Sequence, residues 1–221
     1  MKLLDSLDWR AVRDQYDVRE SVSKRLRELL RRRLVDQFAE LSLGISQVDG
    51  NYSAAEHSLG NKVLARNTNA ASSVVFLARQ LASLTSARSV PDLIRDANID
   101  YLKIGVGSEI SCMVNPTVCW VANTRTIWTH LLVKHGDDVR KADEELKLYR
   151  EADASSEMAY EMWAAIHAEL GVALTKDRGD GHYCFETRPS FCRRDQIPVG
   201  GRHCFKFVRQ VSRLKAGPTY P

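Results

Sequence analysis

Apolar residues recur at intervals of three to four early in the chain, at Val22, Leu26, Leu29, Leu30, Leu34, Phe38 and Leu41. That spacing gathers them on one face of a helix and leaves the arginines of the same stretch on the other. Gly44 and the pair Asp49-Gly50 break the pattern. Ser53 and Glu56 have the spacing of a capping box, in which a hydroxyl and a carboxylate satisfy first-turn amides reciprocally. A long alanine-rich helix is expected from there to about Leu84, interrupted near Asn67-Thr68-Asn69. Pro91 opens the next helical segment, because a first-turn residue has no partner for the amide that proline lacks. That segment runs through Leu93, Ile94, Ala97 and Leu102 to Gly105 and Gly107, and stops by Asn115-Pro116.

A further helix carries Trp120, Val121, Ile127, Trp128, Leu131 and Leu132, with Gly136 as its stop. Asp137 or Asp138 caps a charged helix ending near Arg150, and Ser156 precedes an amphipathic one through Met158, Met162, Ile166 and Leu170 that Gly171 ends. Beyond Gly171 the period changes from helical to alternating. Gly179-Asp180-Gly181 reads as a turn, and His182 to Arg188 and Arg202 to Val208 read as strands. The expected fold is mainly α: a helical bundle over residues 1–171, with a small β-hairpin-like, basic appendage over 172–221 packed on it.

Composition narrows the class. The chain has 221 residues, 44% hydrophobic and 27% charged, as a folded globular protein has. No stretch approaches the roughly 18 apolar residues of a membrane span, and Asp5 comes too early for a secretory leader. Five cysteines, an odd and scattered set, fit a reducing compartment better than a disulfide framework, so a cytoplasmic protein is expected.

Charge is unevenly spread. Residues 24–33 hold six Lys or Arg against the single Glu28, and residues 176–215 hold ten against four acids. Residues 137–161 between them carry nine acids against four bases. Basic regions flanking an acidic one imply a polyanion partner, or an intramolecular or dimer pairing of opposite faces, so a nucleic acid and a homodimer or protein partner are expected. The candidate nucleic-acid contacts are Arg31, Arg32 and Arg33, together with Arg193, Arg194, Arg202, Lys206 and Arg209. In the second group Phe205 and Phe207 interleave with the cations, a pattern that suits stacking on single-stranded bases.

The most suggestive chemistry lies in Asn123-Thr124-Arg125-Thr126-Ile127-Trp128-Thr129-His130. An arginine followed by four residues and a histidine resembles the active-site motif of the HEPN superfamily. Its members are small helical bundles, many of them metal-independent endoribonucleases of toxin, CRISPR and abortive-infection systems. The resemblance implies that Arg125 holds the scissile phosphate and that His130 is the general acid or base for attack by the ribose 2′-hydroxyl. Where the family usually has Asn, Asp or His after the arginine, this chain has Thr126. Five residues turn a helix by about 140°, so the two side chains do not share a face. Family members bring them together by dimerising. The alternative is a non-catalytic nucleic-acid-binding or adaptor subunit resting on the basic surfaces alone.

Other combinations are weaker. His182, Cys184, Cys192 and Cys204 contain zinc-ligand chemistry, but the paired knuckle spacing is absent and metal-free cysteines are commoner. No metal or cofactor is expected. Gly105 and Gly107 lack both the third glycine of a dinucleotide loop and the Gly-Lys-Ser/Thr end of a P-loop, so close helix packing is the better account of them.

Overall fold

A computed structural model describes residues 9–151 and 157–179; of the appendage expected over 172–221, residues 172–179 belong to a helix, and 180–221, with Arg193, Arg194, Arg202, Lys206, Arg209 and the His182, Cys184, Cys192, Cys204 set, lie outside the described residues. Among the described residues the protein is all-α, with ten α-helices and no strand. They are α1 (Trp9–Arg31), α2 (Val35–Ser42), α3 (Tyr52–Glu56), α4 (Leu59–Arg66), α5 (Ala70–Ala82), α6 (Val90–Ala97), α7 (Ile104–Val114), α8 (Thr124–Lys134), α9 (Val139–Glu151) and α10 (Glu157–Gly179).

The expected apolar faces are the buried ones. Val22, Leu26 and Leu29 of α1 join Phe38 and Leu41 of α2, Val74, Leu77 and Leu81 of α5, Ile94 of α6 and Ile110 of α7 in one core. Ile127, Trp128, Leu131 and Leu132 of α8 form a second with Ala142 and Leu146 of α9 and Ile166 and Leu170 of α10. Trp120, in the segment before α8, packs against both cores. Burying such side chains supplies about 1.5–3 kcal/mol each, which is why these faces govern the arrangement.

Several boundaries differ from the sequence reading: the segment opened by Pro91 is two helices, α6 and α7, parted where Asn98 and Tyr101 take left-handed φ of 45° and 65°, and α8 starts only after its cap Asn123, leaving Trp120 and Val121 outside it. The first apolar run is two helices, because Arg33 takes a left-handed φ of 58° and turns the chain between α1 and α2. The expected capping box at Ser53 is displaced: Asn51 is the N-cap of α3 and accepts from Ala54 N at 3.0 Å. Ser53 and Glu56 bond instead to Glu109 and Arg125, far along the chain. The long alanine-rich stretch is divided into α3, α4 and α5, the last break falling at the suspected Asn67–Asn69. Gly171 does not end its helix, since α10 continues to Gly179. A Cβ on Gly171 would fall on the six-membered ring of Trp120, so this glycine is the notch that admits the indole. Gly107 plays the same part for Ile94, whose side chain sits where a Cβ would be.

Candidate functional site

Helix α8 starts at Asn123, whose extended backbone and side-chain oxygen cap it: Arg125 N and Thr126 N donate to Oδ1 at 3.1 and 3.0 Å. Thr126 Oγ1 accepts in return from Asn123 N at 2.9 Å, completing a capping box that satisfies otherwise orphaned amides. Trp128 anchors the middle of the helix by donating from Nε1 to Asp143 of α9 at 2.7 Å.

This cap is tied to a buried polar frame. Asn123 Nδ2 donates to Ser53 Oγ at 3.1 Å, and that hydroxyl donates to Glu109 Oε2 at 2.8 Å. Glu109 is fully buried on α7 and also accepts from Ser53 N, from Tyr52 N and from Arg19 of α1 at 3.0, 2.9 and 3.0 Å. Arg19 donates as well to the Asp49 carbonyl and lies over the Tyr52 ring, and the Tyr52 hydroxyl meets the Asp49 carboxylate. Asn51, also buried, closes the frame by donating to the Ser42 and Val106 carbonyls at 3.0 and 3.1 Å. A carboxylate out of water needs such a set of donors. Here it joins α1, α3 and α7 to the start of α8.

The two motif residues leave α8 in different directions. Arg125, on the first turn, donates from Nη2 to Glu56 of α3 at 2.8 Å. His130 bonds through Nε2 to Glu169 Oε1 of α10 at 2.8 Å, with its side chain 13% exposed. Within one chain, then, Arg125 and His130 are not brought onto one face, in keeping with the helical geometry.

What accompanies His130 is a different cation. Lys134, one turn further along α8, lies 3.6 Å from Glu169 Oε1 and 2.9 Å from Glu145 Oε1 of α9. Glu145 Oε2 is in turn 2.7 Å from Nε2 of His135. The result is a row, His130–Glu169–Lys134–Glu145–His135, running across α8, α9 and α10, with every member partly open to solvent. Hydrogen bonds from His130 and, for the other carboxylate, from Lys134 hold Glu169 and Glu145 below the ordinary glutamate pKa. Both therefore stay ionised at neutral pH and orient the imidazoles beside them. Lys134 and His135 were not singled out from the sequence. The i,i+4 pair His130 and Lys134 was visible there, but the glutamates joining the row, 39 and 10 residues from their histidines, were not.

Other titratable groups have quieter roles. Cys119 is buried, and desolvation pushes its thiol up to about 11 against a smaller opposing pull from its hydrogen bond to Ser111, so it is no nucleophile at neutral pH. His167 of α10 is buried and stacked on Trp120 at 4.9 Å, and Trp120 Nε1 donates to the His167 carbonyl at 2.9 Å. Burial lowers the His167 pKa to about 4, so the ring is neutral under ordinary conditions, and its Nε2 has no partner. Among the described residues, no three His, Cys, Asp or Glu side chains are grouped to hold a metal ion.

On the remote surface Arg31 is exposed and pairs with Glu28 at 2.7 Å, while Arg32 and Arg33 are exposed with no carboxylate partner among the described residues. No described helix is long and apolar enough to cross a membrane. Comparison with protein-family models, curated proteins and solved structures gives no match.

Proposed function

We propose that the protein engages RNA and cleaves it without a metal ion, with His130 as a proton-transferring residue. The observation that carries this reading is the pairing of a partly exposed histidine with an ionised glutamate at 2.8 Å, beside a lysine, at the end of the Arg125–His130 motif. A carboxylate that holds one imidazole nitrogen leaves the other for proton transfer, which typically contributes about 10²–10⁴-fold in rate. The resemblance to HEPN ribonucleases adds the expectation of a homodimer in which Arg125 of one protomer faces His130 of the other. Arg125 then contacts RNA phosphate in place of Glu56.

Incubating labelled single-stranded RNA with wild type and with His130→Ala, in excess EDTA, tests the reading. Cleavage by wild type that drops at least a hundredfold in a variant with unchanged circular dichroism is expected. Equal cleavage by both proteins would remove His130 from the chemistry, and intact RNA in both lanes would remove the activity.

A second reading, an RNA-binding subunit without catalysis, draws on the exposed end of α1, where Arg32 and Arg33 have no carboxylate partner among the described residues. The salt dependence of binding measures that surface directly.

A further inference from the structure

We propose that the turn between α6 and α7 is a base-stacking subsite for single-stranded RNA, with Tyr101 as its platform and Lys62, Arg66 and Lys103 as its phosphate contacts. This rests on the reading of the protein as one that engages RNA, and deepens it by giving one unpaired base a place.

Tyr101 stands where a tyrosine is costly. Leu102 N donates to the Ile99 carbonyl at 3.1 Å and closes a turn, in which Tyr101 takes a left-handed φ of 65° at the third position. Glycine or asparagine is favoured there, and a bulky residue with that φ is an outlier. Ile99 and Leu102 are buried, whereas Tyr101 is 41% exposed. Packing in the core accounts for its neighbours and not for the ring. The turn is also clamped. Asn67, at the end of α4, accepts from Asp100 N at 2.8 Å and donates to the Asp100 carbonyl at 3.2 Å and to the Val63 carbonyl at 2.8 Å. Backbone strain that the surrounding structure holds in place clusters at ligand sites.

The charge around the ring points to the ligand. Lys62 Nζ lies over the Tyr101 ring, 5.8 Å from its centroid. Arg66 follows one turn along the same face of α4 and adjoins Asn67, while Lys103 precedes α7, two residues after the tyrosine. All three cations are exposed, and none has a carboxylate partner among the described residues. Residues 57–69 contain no acid, and residues 98–103 contain only Asp100. An exposed aromatic ring with a surplus of free cations suits single-stranded nucleic acid, since any base can stack on the ring while the cations track the backbone. A base on Tyr101 takes the place of the Lys62 ammonium, which moves to the adjoining phosphate.

The experiment measures binding of a fluorescein-labelled single-stranded RNA with 2′-O-methyl riboses, which attack by a 2′-hydroxyl cannot cut, over a series of salt concentrations. Tyr101→Gly removes the ring and suits the left-handed turn. It is expected to bind about 5–150-fold more weakly than wild type, with a melting temperature no lower. Because no phosphate contact is lost, its log-log salt slope should equal that of wild type. Lys62→Gln should lower that slope by about 0.7, and Tyr101→Phe, which keeps a stacking face, should bind within about threefold of wild type. Tyr101→Gly binding as tightly as wild type, or losing salt slope along with affinity, would overturn the subsite and leave the RNA reading standing. A lowered melting temperature in that variant would do the same, by making the ring structural. Failure of wild type to bind the oligonucleotide would sink both.

Discussion

Glu109 is the residue on which most of the buried polar structure converges, accepting from Arg19, Tyr52 and Ser53 with no exposure to water. Glu109→Ala would leave a largely buried guanidinium, two amides and the Ser53 hydroxyl without this acceptor. A loss of about 3–5 kcal/mol is expected from breaking one side of such a pair, read by urea unfolding; a loss below about 1 kcal/mol would show that water replaces the carboxylate. His167 supplies a separate, pH-dependent contribution. Its pKa is lowered by burial from 6.5 to about 4, so between those values the unfolded chain binds a proton that the folded chain does not. Stability attributable to this neutral ring is therefore complete above pH 6.5 and falls by up to about 3 kcal/mol as pH drops to 4. His167→Phe should flatten the wild-type slope between pH 6.5 and 4.5 in denaturant midpoints. An unchanged slope would mean that the ring is reached by water. Glu145 and Glu169 act in the opposite range: their lowered pKa values favour the folded state above the glutamate range and cease to do so only in more acid solution.

At the scale of helices, the same residue type has opposite effects according to what it faces. Gly105 and Gly107 both lie in α7, but a Cβ at the first meets nothing within 4 Å, whereas at the second it would meet the Ile94 side chain. Gly105→Ala should stabilise by up to about 1 kcal/mol through helix propensity. Gly107→Ala and Gly171→Ala should destabilise by about 1–3 kcal/mol through overpacking, the latter by displacing Trp120. Melting temperatures that rise for all three would contradict this account of the helix contacts. These glycines also mark how far the sequence could be read. The periodic faces of α1, α2 and α8 were legible because burial follows spacing, and Gly136, with a φ of 61° after α8, was legible as a stop. Gly171 was misread because the ring that requires it belongs to Trp120, far away in the chain. Ser53 and Glu56 were misread as the two halves of a capping box for a similar reason. They answer instead to Glu109 and Arg125, 56 and 69 residues distant. Local patterns predict local hydrogen bonds, and these two side chains make long-range ones.

For the molecule as a whole, the proposed function draws on two surfaces: the arginine end of α1 and the row from His130 to His135. If the first contacts RNA, replacing Arg31, Arg32 and Arg33 with glutamine should reduce the log-log salt slope of binding by about 0.7 for each phosphate that is no longer neutralised. A slope equal to that of wild type would take that surface out of the interface. The second surface shows why the candidate site was only half legible. His130 and the motif before it stand in sequence order, but the glutamates of the row arrive from α9 and α10, and Arg125 turns toward α3. The central claim, metal-free attack by a 2′-hydroxyl at this row, is tested most directly by the chemistry of the cut ends. Products made by wild type in EDTA should carry a 2′,3′-cyclic phosphate and a 5′-hydroxyl. A 5′-phosphate with a 3′-hydroxyl, or RNA that stays intact, would contradict it.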